Sequence, residues 1–138
     1  MFTILICGIP IAIDNHYSLV ETICSPFKTN QQPLITVNVT SEEIQREEGG
    51  SLAYLECLCI HRKIALALIN YDAFLMHAAA IDIDGYGLAF SAPSGIGKTT
   101  RVLLWQDTFG DRMKVINGDK PFLRFLDDKL LAFGTPWT

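Results

Sequence analysis

Residues 92–100 (APSGIGKTT) combine two glycines with a lysine and two threonines. Glycine lets a backbone take positive φ and approach oxygen atoms closely, so successive amide groups can point inward around an anion. A helix that begins near the lysine adds the positive end of its dipole. The spacing is that of a P-loop with alanine as its first residue, and it predicts a phosphate site. The candidate binding residues are Ser94, Gly95, Ile96, Gly97, Lys98, Thr99 and Thr100.

Two residues of the loop have distinct expected roles. Lys98 should neutralise the β- and γ-phosphates of a nucleotide, and the Thr99 hydroxyl should ligate Mg²⁺. A carboxylate at the end of a nearby apolar strand usually completes such a magnesium site. Asp119, in the segment KVINGD, stands in the right region of the chain. The alternative is a plain Asn-Gly turn that carries a solvated aspartate.

His77 lies on the predicted strand that precedes the strand of the loop. If these two strands pair, the imidazole can lie near the phosphates as a general acid or base or as a hydrogen-bond donor. A histidine beside three alanines is equally consistent with a sheet residue that has no chemical role.

The loop needs a strand before it and a helix after it. Apolar runs at residues 75–82 and 88–92 flank the turn sequence DGYG, which predicts an antiparallel hairpin leading into the loop. A helix over residues 99–109 should end near Gly110. Short strands are predicted at residues 113–116, 122–126 and 130–133, with a turn at Asp127 and Asp128.

The first half of the chain predicts strands at residues 2–7 and 34–40, a helix start at Thr40 and a long apolar helix over residues 51–72 with Ser51 as its N-cap. A helix this apolar should be largely buried. The expected fold is α/β, with a mixed sheet, a β-rich segment over residues 1–50, and the helix plus P-loop core over residues 51–138. A single compact domain is the alternative.

Polar residues of the long helix offer a weaker candidate site. Glu56, His61, Arg62 and Lys63 lie close together in the sequence, and Arg62 could contact a phosphate or an acidic substrate. We favour a solvated helix face for this cluster.

Charge and composition limit the classes of partner and the cellular compartment that we predict for this protein. A net charge of −4 is unlike that of a nucleic-acid-binding domain. The four cysteines contain no C-x-x-C pair, so we expect buried free thiols in a reducing cytoplasm. The apolar residues 1–13 lack the features of a targeting segment and are too short to span a membrane. We therefore predict a cytoplasmic protein with neither a nucleic-acid partner nor a membrane partner.

Three segments carry a more specific signal: HAAAIDIDG from His77, FSAPSGIGKTT from Phe90 and INGDKP from Ile116. Together they resemble the HPr kinase and phosphoenolpyruvate carboxykinase group of P-loop proteins, and most of all the small HPr-kinase-related proteins of bacteria. The resemblance implies a phosphoenolpyruvate carboxykinase-like fold and phosphoryl transfer from ATP or GTP, with Mg²⁺, to a hydroxyl. It also implies catalytic roles for Asp119 and His77.

The chain departs from this group at Gly118, where the group's motif has the first of two consecutive aspartates and its expected proton acceptor. The sequence thus predicts nucleotide binding more directly than catalysis. Residues 99–138 hold too few elements for a complete kinase of this kind, so we expect a C-terminally truncated product of a longer gene.

Three functions remain open at this point. The first is an ATP-dependent kinase, whose acceptor is a protein, a peptide or a small molecule. The second is a non-catalytic nucleotide-sensing or scaffold protein that uses the same loop. The third is a structural domain with an empty glycine-rich turn. The sequence leaves a homo-oligomer open as well.

Overall fold

The computed structural model describes residues 1–138 and shows a mixed α/β protein with three small sheets and four α-helices. The chain divides into two compact units, Met1–Tyr71 and Asp72–Thr138. This division falls well after the predicted boundary at residues 50 and 51. The long helix belongs to the first unit because it packs against the helices and the strand that precede it. No helix combines the length and the apolar character that crossing a membrane requires.

The first unit contains a sheet of three strands in the order β1-β2-β3, with β1 antiparallel and β3 parallel to β2. Cys7 and Gly8 join β1 to β2 with positive φ at both residues, as a two-residue hairpin turn requires. The strand predicted at residues 2–7 is therefore confirmed as the first strand of a hairpin. The elements are β1 (Phe2–Ile6), β2 (Ile9–Asp14), α1 (Ser18–Ile23), β3 (Ile35–Asn38), α2 (Ser41–Gln45) and α3 (Leu52–Leu68).

Local sequence signals explain how the two later helices of this unit begin. Thr40 and Glu43 form a reciprocal capping box at the start of α2. The Ser51 hydroxyl accepts a hydrogen bond from the Tyr54 N–H at 3.3 Å, which confirms Ser51 as the N-cap of α3. Burial of α3 is one-sided, since Ile60 and Ile64 are fully buried whereas Leu66 is exposed.

One prediction for α3 is wrong. Glu56, expected on a solvated polar face, is 0% exposed. Its carboxylate accepts hydrogen bonds from the N–H groups of His16 at 2.6 Å and Tyr17 at 3.0 Å, and the His16 Nδ1 atom lies 2.9 Å away. These donors replace the water that the carboxylate loses on burial. Its predicted neighbours Arg62 and Lys63 form salt bridges with glutamates of the same unit.

The four cysteines lie in this first unit and are all buried and free, as predicted. Burial raises the pKa of the Cys24 thiol to about 12 and that of the Cys57 thiol to about 11. Both thiols stay protonated at neutral pH, so they act as small apolar core groups.

The second unit contains two three-stranded sheets, in the orders β6-β5-β7 and β4-β8-β9, and every strand pair in them is antiparallel. The sequence predicted a mixed sheet leading into the loop, and this prediction is wrong because both strand pairs of that sheet are antiparallel. The only parallel pair of the chain lies in the first unit. The elements are β4 (Ala73–Leu75), β5 (Ala79–Ile83), β6 (Tyr86–Phe90), α4 (Lys98–Phe109), β7 (Met113–Asn117), β8 (Phe122–Leu126) and β9 (Lys129–Phe133).

Two tight turns fix the register of the hairpins in this unit. Asp84 and Gly85 join β5 to β6, and Asp127 and Asp128 join β8 to β9, all four with positive φ. The predicted hairpin before the loop is confirmed in this way. Helix α4 packs on the β6-β5-β7 sheet through a small core around Ile81 and Val102.

Candidate functional site

The loop between β6 and α4 has the backbone that its glycines predict. Gly95 has φ of 85° and Gly97 has φ of 90°, both in the left-handed region that favours glycine. Gly97 is the N-cap residue of α4, and no side chain caps the helix there. The N–H groups of the first helical turn are therefore free of a side-chain acceptor from the protein, which is the condition for anion binding at a helix start.

A cleft of about 510 Å³ lies over this loop. Five residues of the predicted loop line it: Ser94, Gly95, Gly97, Lys98 and Thr99. Gly118, Asp119 and Thr138 complete its lining. Ile96 and Thr100 do not line this cleft; Ile96 lies at the loop surface, 68% exposed, and Thr100 lies within α4.

Lys98 is the first residue of α4, and its Nζ donates a hydrogen bond to the Ala92 carbonyl oxygen at 2.9 Å. The side chain is thereby folded back along the loop. A phosphate in the cleft offers the ammonium group a charged acceptor in place of a neutral carbonyl, which makes a stronger hydrogen bond.

Strand topology brings the separate parts of the site to one end of a sheet. Because β5 lies between β6 and β7 and is antiparallel to both, β6 and β7 run in the same direction. Three segments therefore meet at the same end of the sheet: the loop after β6, the turn after β7 and the residues before β5. This arrangement brings the loop, Asp119 and His77 together.

His77 lies just before β5, outside the strand in which the sequence placed it. The neighbouring N–H groups of Met76 and Ala78 donate to the carbonyl oxygens of Pro121 and Asp119, so residues 76–78 pair with the segment after β7. The Ser91 hydroxyl donates to the His77 carbonyl oxygen at 3.2 Å. His77 is thus held between the loop and the Asp119 turn.

His77 and Asp119 form a close pair. The His77 Nε2 atom lies 2.8 Å from the Asp119 Oδ1 atom, with the two side chains 49% and 33% exposed. The Lys120 Nζ atom lies 3.4 Å from the other carboxylate oxygen of Asp119. Both side chains are open to water, and Asp119 lines the cleft whereas His77 does not, so the Asp119 carboxylate is the member of the pair that a reactant in the cleft can reach.

Asn117, which the sequence did not single out, shapes the Asp119 turn. It is 2% exposed, and its Oδ1 atom accepts hydrogen bonds from the N–H groups of Asp119 at 2.9 Å and Lys120 at 2.7 Å. Its Nδ2 atom donates to the Thr135 hydroxyl at 3.1 Å and to the Trp137 carbonyl oxygen at 3.3 Å. The tendency of asparagine to bond to the backbone two residues on was the available sequence signal.

Thr135 joins this network from the C-terminal segment. Its hydroxyl donates to the Lys120 carbonyl oxygen at 3.1 Å and accepts from the Trp137 N–H at 3.2 Å. The backbone also approaches β7 closely here, since a Cβ on Gly134 would lie 2.9 Å from the Ile116 carbonyl oxygen. The segment that follows β9 therefore helps to hold the turn that carries Asp119.

The donor set of the cleft suits Mg²⁺. The Thr99 hydroxyl and the Asp119 carboxylate are hard oxygen donors, and both residues line the same cleft. The structure contains no cluster of three or more His, Cys, Asp or Glu side chains that could hold a metal ion by themselves. Magnesium at a nucleotide site is usually bound by one or two protein oxygens, with phosphates and water supplying the rest.

The chain matches no protein-family model, no curated protein and no solved structure.

Proposed function

We propose that the second unit binds a nucleoside triphosphate with Mg²⁺ through residues 94–100 and transfers its terminal phosphoryl group to a hydroxyl. The observation that carries this proposal is the convergence of the glycine-rich loop, Lys98 and the His77–Asp119 pair at one end of a sheet. A structural glycine-rich turn would need neither an uncapped helix start nor an acid–base pair beside it. This argues against the third interpretation of the sequence.

The phosphates would lie against the loop amides and the first turn of α4, with Lys98 on the β- and γ-phosphates. Thr99 and Asp119 would hold Mg²⁺, which neutralises the charge that develops on the phosphate oxygens when it is bound. Ile96 and Thr100 would contribute backbone groups of the loop and helix rather than side chains to the cleft.

The transfer breaks the bond between the γ-phosphorus and the β–γ bridging oxygen and forms a bond from the acceptor oxygen to that phosphorus. The acceptor hydroxyl must give up its proton, and the Asp119 carboxylate of the His77–Asp119 pair, which lines the cleft, is the group that can take it. This pair would stand in for the aspartate that Gly118 replaces. The reaction agrees with a phosphoenolpyruvate carboxykinase-like P-loop fold and with the HPr-kinase-related resemblance of the sequence.

The test of binding is a calorimetric titration of the protein with the Mg²⁺ complex of ATP, GTP or pyrophosphate. We expect Lys98→Ala to lower the affinity for all three by at least about tenfold, because a hydrogen bond to a charged group is lost. Lys114→Ala, an exposed lysine of β7, is the matched control and should bind as the wild type does. A wild type that binds none of the three would refute the proposal.

A non-catalytic nucleotide sensor is the second candidate, and Gly118 is the observation that favours it. Gly118 lines the cleft without a side chain, at the place where the resemblance implies a catalytic carboxylate. A Cβ built there meets no atom within 4 Å, and the residue does not have positive φ, so a side chain can begin at this position without backbone strain, as Gly118→Asp requires.

The Gly118→Asp variant separates the two candidates. If the protein derives from a kinase, we expect ATP hydrolysis or phosphotransfer to rise about a hundredfold, the usual contribution of a positioned general base. Gly118→Asn, which has the same shape without the negative charge, should give no gain. Absence of turnover in the wild type and in both variants would leave nucleotide sensing as the function.

A further inference from the structure

A second cleft, of about 300 Å³, lies beside the first. It shares Gly97 and Lys98 with the phosphate cleft, so the two meet at the start of α4. The rest of its lining differs. Phe90 and Ile96 supply apolar surface and Arg101 supplies a positive charge, whereas Thr99, Gly118 and Asp119 are absent from it.

Arg101 lies at one end of a column of three aromatic side chains whose rings are tilted against one another. The ring centroids of Phe109 and Trp105 are 5.1 Å apart, and those of Trp105 and Phe90 are 5.5 Å apart. The Arg101 guanidinium carbon lies 5.7 Å from the centroid of the Phe90 ring. The aromatic rings of this column pack against the small core of the unit, which makes it a fixed platform.

Arg101 is exposed and takes no part in any of the salt bridges of the structure. A guanidinium group is planar, weakly hydrated and prone to stack on π-systems. The Arg101 guanidinium lies over the Phe90 ring and is exposed, so a planar ligand in the cleft can reach it. Nucleobases commonly stack on arginine planes of this kind.

Strand β6 adds hydrogen-bonding groups on the same side. It is the edge strand of its sheet, and Ala89, Phe90 and Ser91 line the cleft. An edge strand has one row of backbone N–H and C=O groups that are not paired within the sheet. Such a row can bond to the polar edge of a base.

The chemistry of the first cleft decides which part of a nucleotide belongs in the second. The acceptor must approach the terminal phosphate where Asp119 and His77 lie, since these are the proton-accepting groups. The non-reacting end of the donor must then leave the phosphate site in another direction. The second cleft offers that direction, with an apolar and planar lining rather than further anion ligands.

We propose that this second cleft binds the base of the nucleotide, stacked on the guanidinium of Arg101 and flanked by Ile96. The inference rests on the proposed function, because it requires phosphates on the loop. It assigns Arg101 as a binding residue for the base and makes the second cleft the place where nucleotides are distinguished from simple polyphosphates.

The test uses isothermal titration calorimetry to compare the affinities of the protein for Mg²⁺-ATP and for Mg²⁺-tripolyphosphate. Tripolyphosphate has the same number of phosphates as ATP and no base. We expect the wild type to bind ATP at least about tenfold more tightly, since stacking of one base contributes that much. Arg101→Ala should remove this preference and change the tripolyphosphate affinity less than about threefold. Arg101→Lys, which keeps the charge but not the plane, should behave as Arg101→Ala does.

Lys129→Ala, an exposed lysine at the start of β9, is the matched control and should keep the preference for ATP. Equal binding of ATP and tripolyphosphate by the wild type would overturn this inference and leave the proposed function standing. An equal loss of both ligands in Arg101→Ala would make Arg101 a phosphate contact and would also overturn it. A wild type that binds neither ligand would refute the proposed function and this inference together.

Discussion

The helices α3 and α4 begin in opposite ways. The N-terminus of α3 is capped by its own chain, through the Ser51 hydroxyl and the Tyr54 N–H. The N-terminus of α4 begins at Gly97, which has no side chain, and follows a loop that contains a second glycine at positive φ. A helix start satisfied within the protein has a structural role, whereas an uncapped start at a glycine-rich loop is available to an anion.

Two carboxylates, Glu56 within α3 and Asp119 in the cleft at the start of α4, differ in burial and in their hydrogen-bond partners. Glu56 is fully buried, and both of its oxygens accept hydrogen bonds from backbone N–H groups of the first unit. Asp119 is one-third exposed and lines the cleft, with only His77 and Lys120 beside its oxygens. Glu56 therefore has a structural role in the first unit, whereas Asp119 of the second unit is accessible to a reactant.

The largest expected effect comes from breaking the buried carboxylate site. Glu56→Ala should lower the free energy of unfolding by about 3 kcal/mol, because it leaves the N–H groups of His16 and Tyr17 without acceptors. Urea unfolding followed by circular dichroism measures this. Glu48→Ala, an exposed glutamate of the same unit, should change stability by less than about 0.5 kcal/mol. Equal stabilities of the two variants would contradict the structural role of Glu56.

The second prediction concerns the uncapped helix start. Gly97→Ala should lower the affinity for Mg²⁺-pyrophosphate by at least about tenfold and stability by about 1 kcal/mol, because alanine is strained at φ of 90°. The added Cβ would come no closer than 3.8 Å to its nearest neighbour, so strain and not a clash is the cause. Calorimetry and urea unfolding measure the two effects.

Gly118→Ala is the control for this experiment. Gly118 lines the same cleft without positive φ, and a Cβ there meets no atom within 4 Å. We expect near wild-type stability and affinity from it. If Gly118→Ala and Gly97→Ala lose affinity equally, the backbone conformation at Gly97 is not what binds the phosphate.

The smallest expected effect is a pH dependence in the first unit. Hydrogen bonds from the Lys63 ammonium group and from the Thr40 N–H lower the pKa of the Glu43 carboxyl from its ordinary 4.5 to about 2. A lowered pKa means that the stabilisation is present above pH 4.5 and is lost as the pH falls towards 2. Glu43→Gln should therefore show a shallower fall in unfolding free energy over this range. Identical slopes would show that Glu43 is not coupled to folding.

Features that depend on neighbours in the sequence were predictable. The Thr40 capping box, the Ser51 cap, the turn at Asp84 and Gly85 and the end of α4 at Gly110 each rest on a few adjacent residues, and the structure contains all of them. The glycine pattern of the loop likewise predicted positive φ at Gly95 and Gly97. Such features follow from the conformational preferences of single residues and short segments.

Features that depend on distant segments were not predictable. His16 and Glu56 are far apart in the sequence, so the sequence of α3 alone does not reveal that the His16 N–H donates a hydrogen bond to the Glu56 carboxylate in the folded unit. The strand order β6-β5-β7 and the pairing of residues 76–78 with the segment after β7 set the distance from His77 to Asp119. The sequence by itself determined the conformation of the loop and the helix that follows it, because these are local. Only the tertiary structure decided which carboxylate is buried and which lines the cleft, because burial depends on what the rest of the chain places around each side chain.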